Sequence, residues 1–295
     1  MAKGLTAIVF VAAAAAAGWW FTAPARVDPA DYADLVGVPA RGEVVFHAGG
    51  CASCHSAAGA TGEARLILSG GRGFASDFGT FHAPNISPDP EHGIGGWSVT
   101  DLANAMVHGT SPEGRHYYPA FPYAAYARVA PQDIADLHAY LTTLPADATP
   151  DLAHELGFPF TLRRGLALWK AIYLKDGWQV TGDMDEVAAR GRYLAEALGH
   201  CAECHTPRDA LGGLDRDRWM AGAPNPSGQG TIPNITPAKL DWSEADLIAY
   251  FTSGFTPDYD TAGGSMADVV SSLAQLPEAD RAALAAYVRR LTPIE

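Results

Sequence analysis

The 295-residue sequence predicts an all-α protein in which two tandem copies of one helical unit follow an N-terminal apolar helix. Three observations support this. The chain repeats itself at a spacing of about 150 residues, helix-start signals recur at matched places in both copies, and no segment alternates as a strand would. The limits read as an apolar segment over 1–25, a first unit over 26–149, a strap over 150–183 and a second unit over 184–295.

The apolar segment runs from residue 5 to 21 after Met1-Ala2-Lys3 and ends in Gly18-Trp19-Trp20-Phe21. Its length is at the low end of a membrane span, and the tryptophan pair resembles an interfacial belt. A cleaved signal with Ala23-Pro24-Ala25 as its small-residue site is the alternative. The run is longer than a signal's usual apolar core, which favours a retained anchor.

Each unit opens on a helix led by Arg41-Gly42-Glu43 or Arg190-Gly191-Arg192. Later come Pro84-Asn85-Ile86-Ser87-Pro88 and Pro233-Asn234-Ile235-Thr236-Pro237, followed by Trp97-Ser98 and Trp242-Ser243. Both serines are placed to cap helices, over 99–108 and 244–252. Pro131 and Pro277 announce the last helix of each copy. Ile134, Leu137 and Leu141 line one of these, and Leu284, Tyr287, Val288 and Leu291 the other. Between the copies, residues 151–181 carry Phe158, Phe160, Leu166, Leu168, Trp169, Ile172 and Tyr173 among Arg163, Arg164 and Lys170. This reads as a strap packed across both units, with partner docking or membrane-surface contact as the other use of such a segment.

The chemistry lies in Cys51-Ala52-Ser53-Cys54-His55 and Cys201-Ala202-Glu203-Cys204-His205. Cys-x-x-Cys-His is the attachment signal for c-type haem. Cysteines three apart share a helix face and can bond the two vinyl groups of one porphyrin, while the next histidine reaches its iron. A four-thiolate zinc site would place the pairs far closer in sequence, and a redox Cys-x-x-Cys explains neither histidine. All four cysteines fall in these motifs, so none remains for a structural disulfide. The sequence thus predicts two haem c, with Cys51, Cys54, Cys201 and Cys204 as covalent anchors and His55 and His205 as iron ligands. Such attachment takes place outside the bacterial cytoplasm. With the anchor, this predicts the periplasmic side of the inner membrane, or the soluble periplasm if the segment is cleaved.

For the opposite face of the second iron the candidate is Met266, in Gly263-Gly264-Ser265-Met266-Ala267 before the last helix; Met220 reads more easily as core. The first unit has Pro119-Ala120-Phe121-Pro122 at that place, and phenylalanine cannot bind iron. His116, His82 and Met106 are the candidates there, with His108 and His47 behind them.

The paired motifs, the repeated Pro-Asn-Ile, the stretch from Ser111-Pro112-Glu113 to Tyr118-Pro119-Ala120 and the Gly-Gly-Ser-Met loop are similar to the cytochrome c subunits of membrane-bound bacterial alcohol and gluconate dehydrogenases. The resemblance covers nearly all of residues 41–291. It implies tandem cytochrome c-like domains that pass electrons from a periplasmic dehydrogenase to ubiquinone or an oxidase. The chain departs in having two motifs where that family typically has three, and Phe121 where it has methionine. The function read from all this is a dihaem electron relay between a dehydrogenase or quinol-side donor and a respiratory acceptor, such as a membrane oxidase or another cytochrome. A dihaem peroxidase with an open first haem is the enzymatic alternative. A net charge of −13 argues against a nucleic-acid partner and favours a redox partner with a basic patch.

Overall fold

A computed structural model describes residues 2–226 and 230–295. In chain order the α-helices are α1 (Ala2–Phe21), α2 (Pro39–Ala48), α3 (Cys51–His55), α4 (Val99–His108), α5 (Tyr123–Tyr126), α6 (Pro131–Leu141), α7 (Leu166–Tyr173), α8 (Glu186–Tyr193), α9 (Ala202–His205), α10 (Glu244–Ser253), α11 (Ser265–Leu273) and α12 (Glu278–Arg289). A π-helical turn, Leu194–Leu198, continues α8 toward the second haem motif.

The frame of each unit is a crossing of its first and last helices, α2 on α6 and α8 on α12. Glycine makes the crossing close. A Cβ on Gly42 would lie 1.9 Å from the Asp136 carbonyl oxygen, and one on Gly191 would lie 1.9 Å from that of Ala283. Phe46, Tyr140, Leu194 and Tyr287 fill the space around the crossings. A bidentate arginine–aspartate pair closes each: Arg41 on Asp136 at 2.6 and 2.9 Å, and Arg190 on Asp280 at 2.8 and 2.8 Å. Ser98 and Ser243 cap α4 and α10, each in a reciprocal capping box with Asp101 or Asp246.

Short strands, absent from the sequence reading, occupy the loops after the haem motifs. β1 (Gly73–Ser76), β2 (Gly79–His82) and β3 (Glu155–Leu156) form an antiparallel sheet in that order, and β4 (Ala223–Pro224) pairs with β5 (Thr231–Ile232). They are too short for an alternating pattern to register. Met266 sits not in a loop but in the first turn of α11, a helix that follows Gly263-Gly264 without a side-chain cap to announce it.

The retained anchor is not supported. The N-terminal segment is helical, yet no helix among the described residues is long and apolar enough to cross a membrane. This overturns the expected inner-membrane anchoring. The segment's centre is a run of alanines from Ala12 to Ala17, each offering one methyl group where leucine would offer four carbons. Its C-terminal end is instead tied to the rest of the chain. Arg164 lies 3.6 Å over the Trp19 ring, and the Thr22 carbonyl accepts from His116 Nε2 at 3.0 Å.

The segment between the units touches both. Toward the first, the Phe160 carbonyl accepts from Tyr118 Oη, and Lys170 Nζ donates to the carbonyls of His108 and Gly109. Toward the second, Trp169 Nε1 donates to the Leu211 carbonyl and Tyr173 Oη to Asp209. Farther along, the backbone N–H groups of Gln179 and Val180 donate to Glu196, a carboxylate only 2% exposed that also accepts from Tyr287 Oη.

Candidate haem centres

Each motif begins on a left-handed residue that turns the chain from the first helix into the cysteine turn. In the first unit it is Gly50, at φ 59°, a position glycine takes without steric cost. The second unit has His200 there at φ 39°, a conformation costing an L-residue roughly 1–2 kcal/mol. His200 is held by a hydrogen bond from Nδ1 to the Leu198 carbonyl at 2.9 Å and by edge contact with the Tyr126 ring at 5.5 Å.

The cysteines of each pair lie on one turn, and none forms a disulfide. Burial pushes the thiols of Cys51 and Cys201 up to about 12 and that of Cys54 up to about 11. Among the described residues no cluster of three or more His, Cys, Asp or Glu side chains could hold a metal ion.

The histidines are fixed alike. His55 Nδ1–H donates to the Pro84 carbonyl at 2.8 Å, and His205 Nδ1–H to the Pro233 carbonyl at 2.9 Å. Burial holds both rings below the usual histidine range, hence neutral. With Nδ1 used as donor, Nε2 presents its lone pair outward, as an iron ligand must.

The repeated Pro-Asn-Ile is therefore a clamp. Proline's carbonyl holds the histidine while asparagine's side chain ties the loop to the end of its unit. Asn85 Nδ2 donates to the carbonyls of Asp147 and Thr149, and Asn234 Nδ2 to that of Ile294. The sequence shows this repeat without showing its role. The same loops settle Met220: the N–H of Ile235 bonds to its carbonyl as that of Ile86 bonds to the carbonyl of Leu68, and both side chains are fully buried. Met220 is the counterpart of a core leucine.

Phe121 and Met266 occupy matched places in the two units. Each lies four residues past a hairpin-closing bond, from Tyr117 N to the Gly109 carbonyl in one unit and from Ala262 N to the Gly254 carbonyl in the other. Phe121 packs between Tyr117 and Tyr126, with centroids 6.1 and 5.5 Å away. His116 has both ring nitrogens engaged, Nε2 with the Thr22 carbonyl and Nδ1 with Lys170 Nζ, each at 3.0 Å. His82 stands two residues before Pro84, with Nε2 3.9 Å from Glu155 Oε1. Met106 is buried in α4, which packs on α5 and α6.

The two motifs also face one another. A Cβ on Gly49 would come within 3.8 Å of the Leu198 carbonyl, and one on Gly199 within 3.5 Å of that of Ala48. The packing is reciprocal, with α5 against the π-turn and α11 against α3. Across it, Asp268 of α11 pairs with Arg72 at 3.1 Å and Arg65 at 3.6 Å, while Arg72 also donates to the Ser53 carbonyl inside the first motif. None of these cross-unit residues carried a local signal in the sequence.

Known proteins agree with this architecture. The cytochrome c family profile matches residues 39–145 and again 188–292. The chain is 59% identical to a dihaem c-type cytochrome of Cereibacter sphaeroides over the full length of both. It is 37% identical to the fructose dehydrogenase cytochrome subunit of Gluconobacter japonicus, over 84% of this chain and 51% of that one. Against the gluconate 2-dehydrogenase cytochrome c subunit of Pantoea cypripedii it is 36% identical, over 85% of this chain and 59% of that one. The chain thus spans little more than half of these dehydrogenase subunits. Two free-thiol cysteine turns, two histidines pinned by proline carbonyls and two profile matches make this chain a member of the cytochrome c family that carries two haem c groups.

Proposed function

We propose that the chain relays single electrons in the periplasm, from a dehydrogenase or a quinol-side donor to a respiratory acceptor. Bound haem supplies one-electron redox chemistry at iron. The protein's own residues anchor, orient and insulate. Cys51, Cys54, Cys201 and Cys204 would hold the porphyrins, and His55 and His205 would ligate iron from one side. Met266 would ligate the second iron from the other. The first unit offers Phe121 at the place matched to Met266, and its His116 is committed at both ring nitrogens.

The observation that carries the relay is the apposition of the motifs, with Gly49 against Leu198 and Tyr126 against His200. A relay needs its two centres adjacent and rigidly held, and the reciprocal packing of α5 and α11 supports that. Export follows from the place where covalent haem is attached. The dehydrogenase partner is inferred from relatives that are subunits of such enzymes.

The test is electron throughput. The holoprotein should contain two haems by pyridine haemochrome assay and carry electrons from a chemical donor to an acceptor without consuming peroxide. Cys201→Ala with Cys204→Ala should leave one haem and abolish the throughput. Peroxide turnover coupled to oxidation of a reduced donor, at rates above free haem, would replace the relay with the peroxidase reading that Phe121 motivates.

A further inference from the structure

The hairpin that precedes the distal residue is built the same way in both units. Thr110 bridges His116 as Phe255 bridges Thr261. Inside it, Ser111 N donates to the Arg115 carbonyl as Thr256 N donates to that of Asp260, and Gly114 N to that of Ser111 as Tyr259 N to that of Thr256. The surroundings differ. In the first unit the base of the hairpin is covered, with Thr110, Ser111 and His116 at most 3% exposed, while Glu113 and Arg115 at its tip are exposed. Thr110 Oγ1 donates to the Ala25 carbonyl, Arg26 to that of Pro112, and Lys170 and Arg163 close the remaining side. In the second unit no described residue covers the base in this way. Phe255 is 57% exposed and Tyr259 91%, beside a shallow groove of about 410 Å³ reaching from Asp246 to Tyr259.

Two features give this bare hairpin a partner. Tyr259 sits at φ 63°, where the first unit has Gly114 at φ 74°. A bulky side chain there is costly, and no ring or hydrogen-bond contact of the exposed phenol offsets the cost. The second is charge. From Leu240 to Asp280 the sequence has eight Asp and Glu residues and no Lys, Arg or His, and only Asp268 and Asp280 of the eight are paired with arginines from elsewhere. Asp258 and Asp260 flank Tyr259, exposed and without an ion pair. The surface thus joins an aromatic centre to an acidic rim, a few residues before Met266.

We infer that the hairpin over residues 254–262 is the docking surface for a redox protein that presents lysine or arginine side chains around an apolar centre. Tyr259 and Phe255 supply the contact, while Asp258, Asp260 and Asp246 steer the approach. The inference rests on the relay reading, so the test separates the two. Zinc-substituted mitochondrial cytochrome c, a basic redox protein, serves as the probe. Quenching of its excited triplet by the oxidised holoprotein reads electron transfer, and carbodiimide cross-linking reads docking.

Quenching should weaken steeply with salt. Asp258→Lys with Asp260→Lys should slow it more than about tenfold at low ionic strength. Tyr259→Gly, which adopts the first unit's own residue and so preserves the hairpin, should slow it severalfold. Reduction by neutral durohydroquinone should be unchanged in every variant. Cross-links should join Asp258 or Asp260 to probe lysines. Electron transfer with cross-links elsewhere, or variants that quench like the parent, would overturn the surface and leave the relay intact. Cross-links at Asp258 and Asp260 without electron transfer would retain the surface and sink the relay. A parent homodimer that Tyr259→Gly dissociates would assign the patch to self-association and overturn the proposal.

Discussion

The two units agree on one side of the haem motif and diverge on the other. On the histidine side they match in kind: a proline carbonyl on Nδ1, an asparagine tying the loop, and a glycine whose Cβ would strike the opposing helix at 1.9 Å. On the far side Phe121 faces Met266, and a covered hairpin faces a bare one. The difference teaches that backbone groups set the histidine side, which leaves little latitude. Single side chains set the other side, where the two copies have become unequal.

Replacing Met266 with alanine tests that inequality most severely. It should abolish the sulfur-to-iron band in the red region of the oxidised spectrum and lower one of the two potentials. Phe121→Ala should do neither, whereas Phe121→Met should raise the first haem's potential. Two unchanged bands in Met266→Ala would erase the asymmetry.

The matched side should respond alike in both copies. Gly42→Ala and Gly191→Ala each force a methyl group into an opposing carbonyl and should destabilise the holoprotein by about 3 kcal/mol in denaturant titrations. A tolerated substitution in one unit would show that its helix crossing is looser than the other.

Acidification should weaken both units, since burial also holds His200 of the second low, and should weaken the first more. Burial holds His108, His116 and His154 below their ordinary value, so below about pH 6.5 the unfolded chain takes up protons that the folded one resists, and stability falls. Burial also lowers Lys170 to about 8, so stability rises as pH climbs from 8 toward 10.5. Unfolding followed at each haem should show the first unit giving way earlier in acid, and Lys170→Met should flatten the alkaline rise.

The smallest effects belong to the caps. Ser98→Ala and Ser243→Ala remove equivalent capping boxes and should each cost about 1 kcal/mol of thermal stability. Unequal losses would reveal how much of each helix depends on packing.

What was legible in the sequence was local. Cys-x-x-Cys-His states its chemistry in five residues, and Ser98 and Ser243 announce helices through backbone hydrogen bonds a few residues away. The Pro-Asn-Ile repeat was visible, but its meaning depends on His55 and His205, nearly thirty residues upstream. His200, Tyr126 and the arginines that hold Asp268 gave no signal, because their roles exist only once the units meet. The short strands and α11 lacked the length or the cap that would have marked them. The apolar N-terminal run resembles an anchor in its length and its tryptophan end; its alanine content is what weakens it.

Asp268 lies two residues beyond Met266 and is gripped by Arg65 and Arg72 of the other copy, the second of which also grips that copy's own cysteine turn. A duplication has therefore produced halves that are no longer interchangeable parts. Excised alone, the second half would keep both cysteines and His205, but the helix bearing its methionine would lose its moorings. High salt, by loosening those moorings, would shift Met266, a side chain that itself carries no charge.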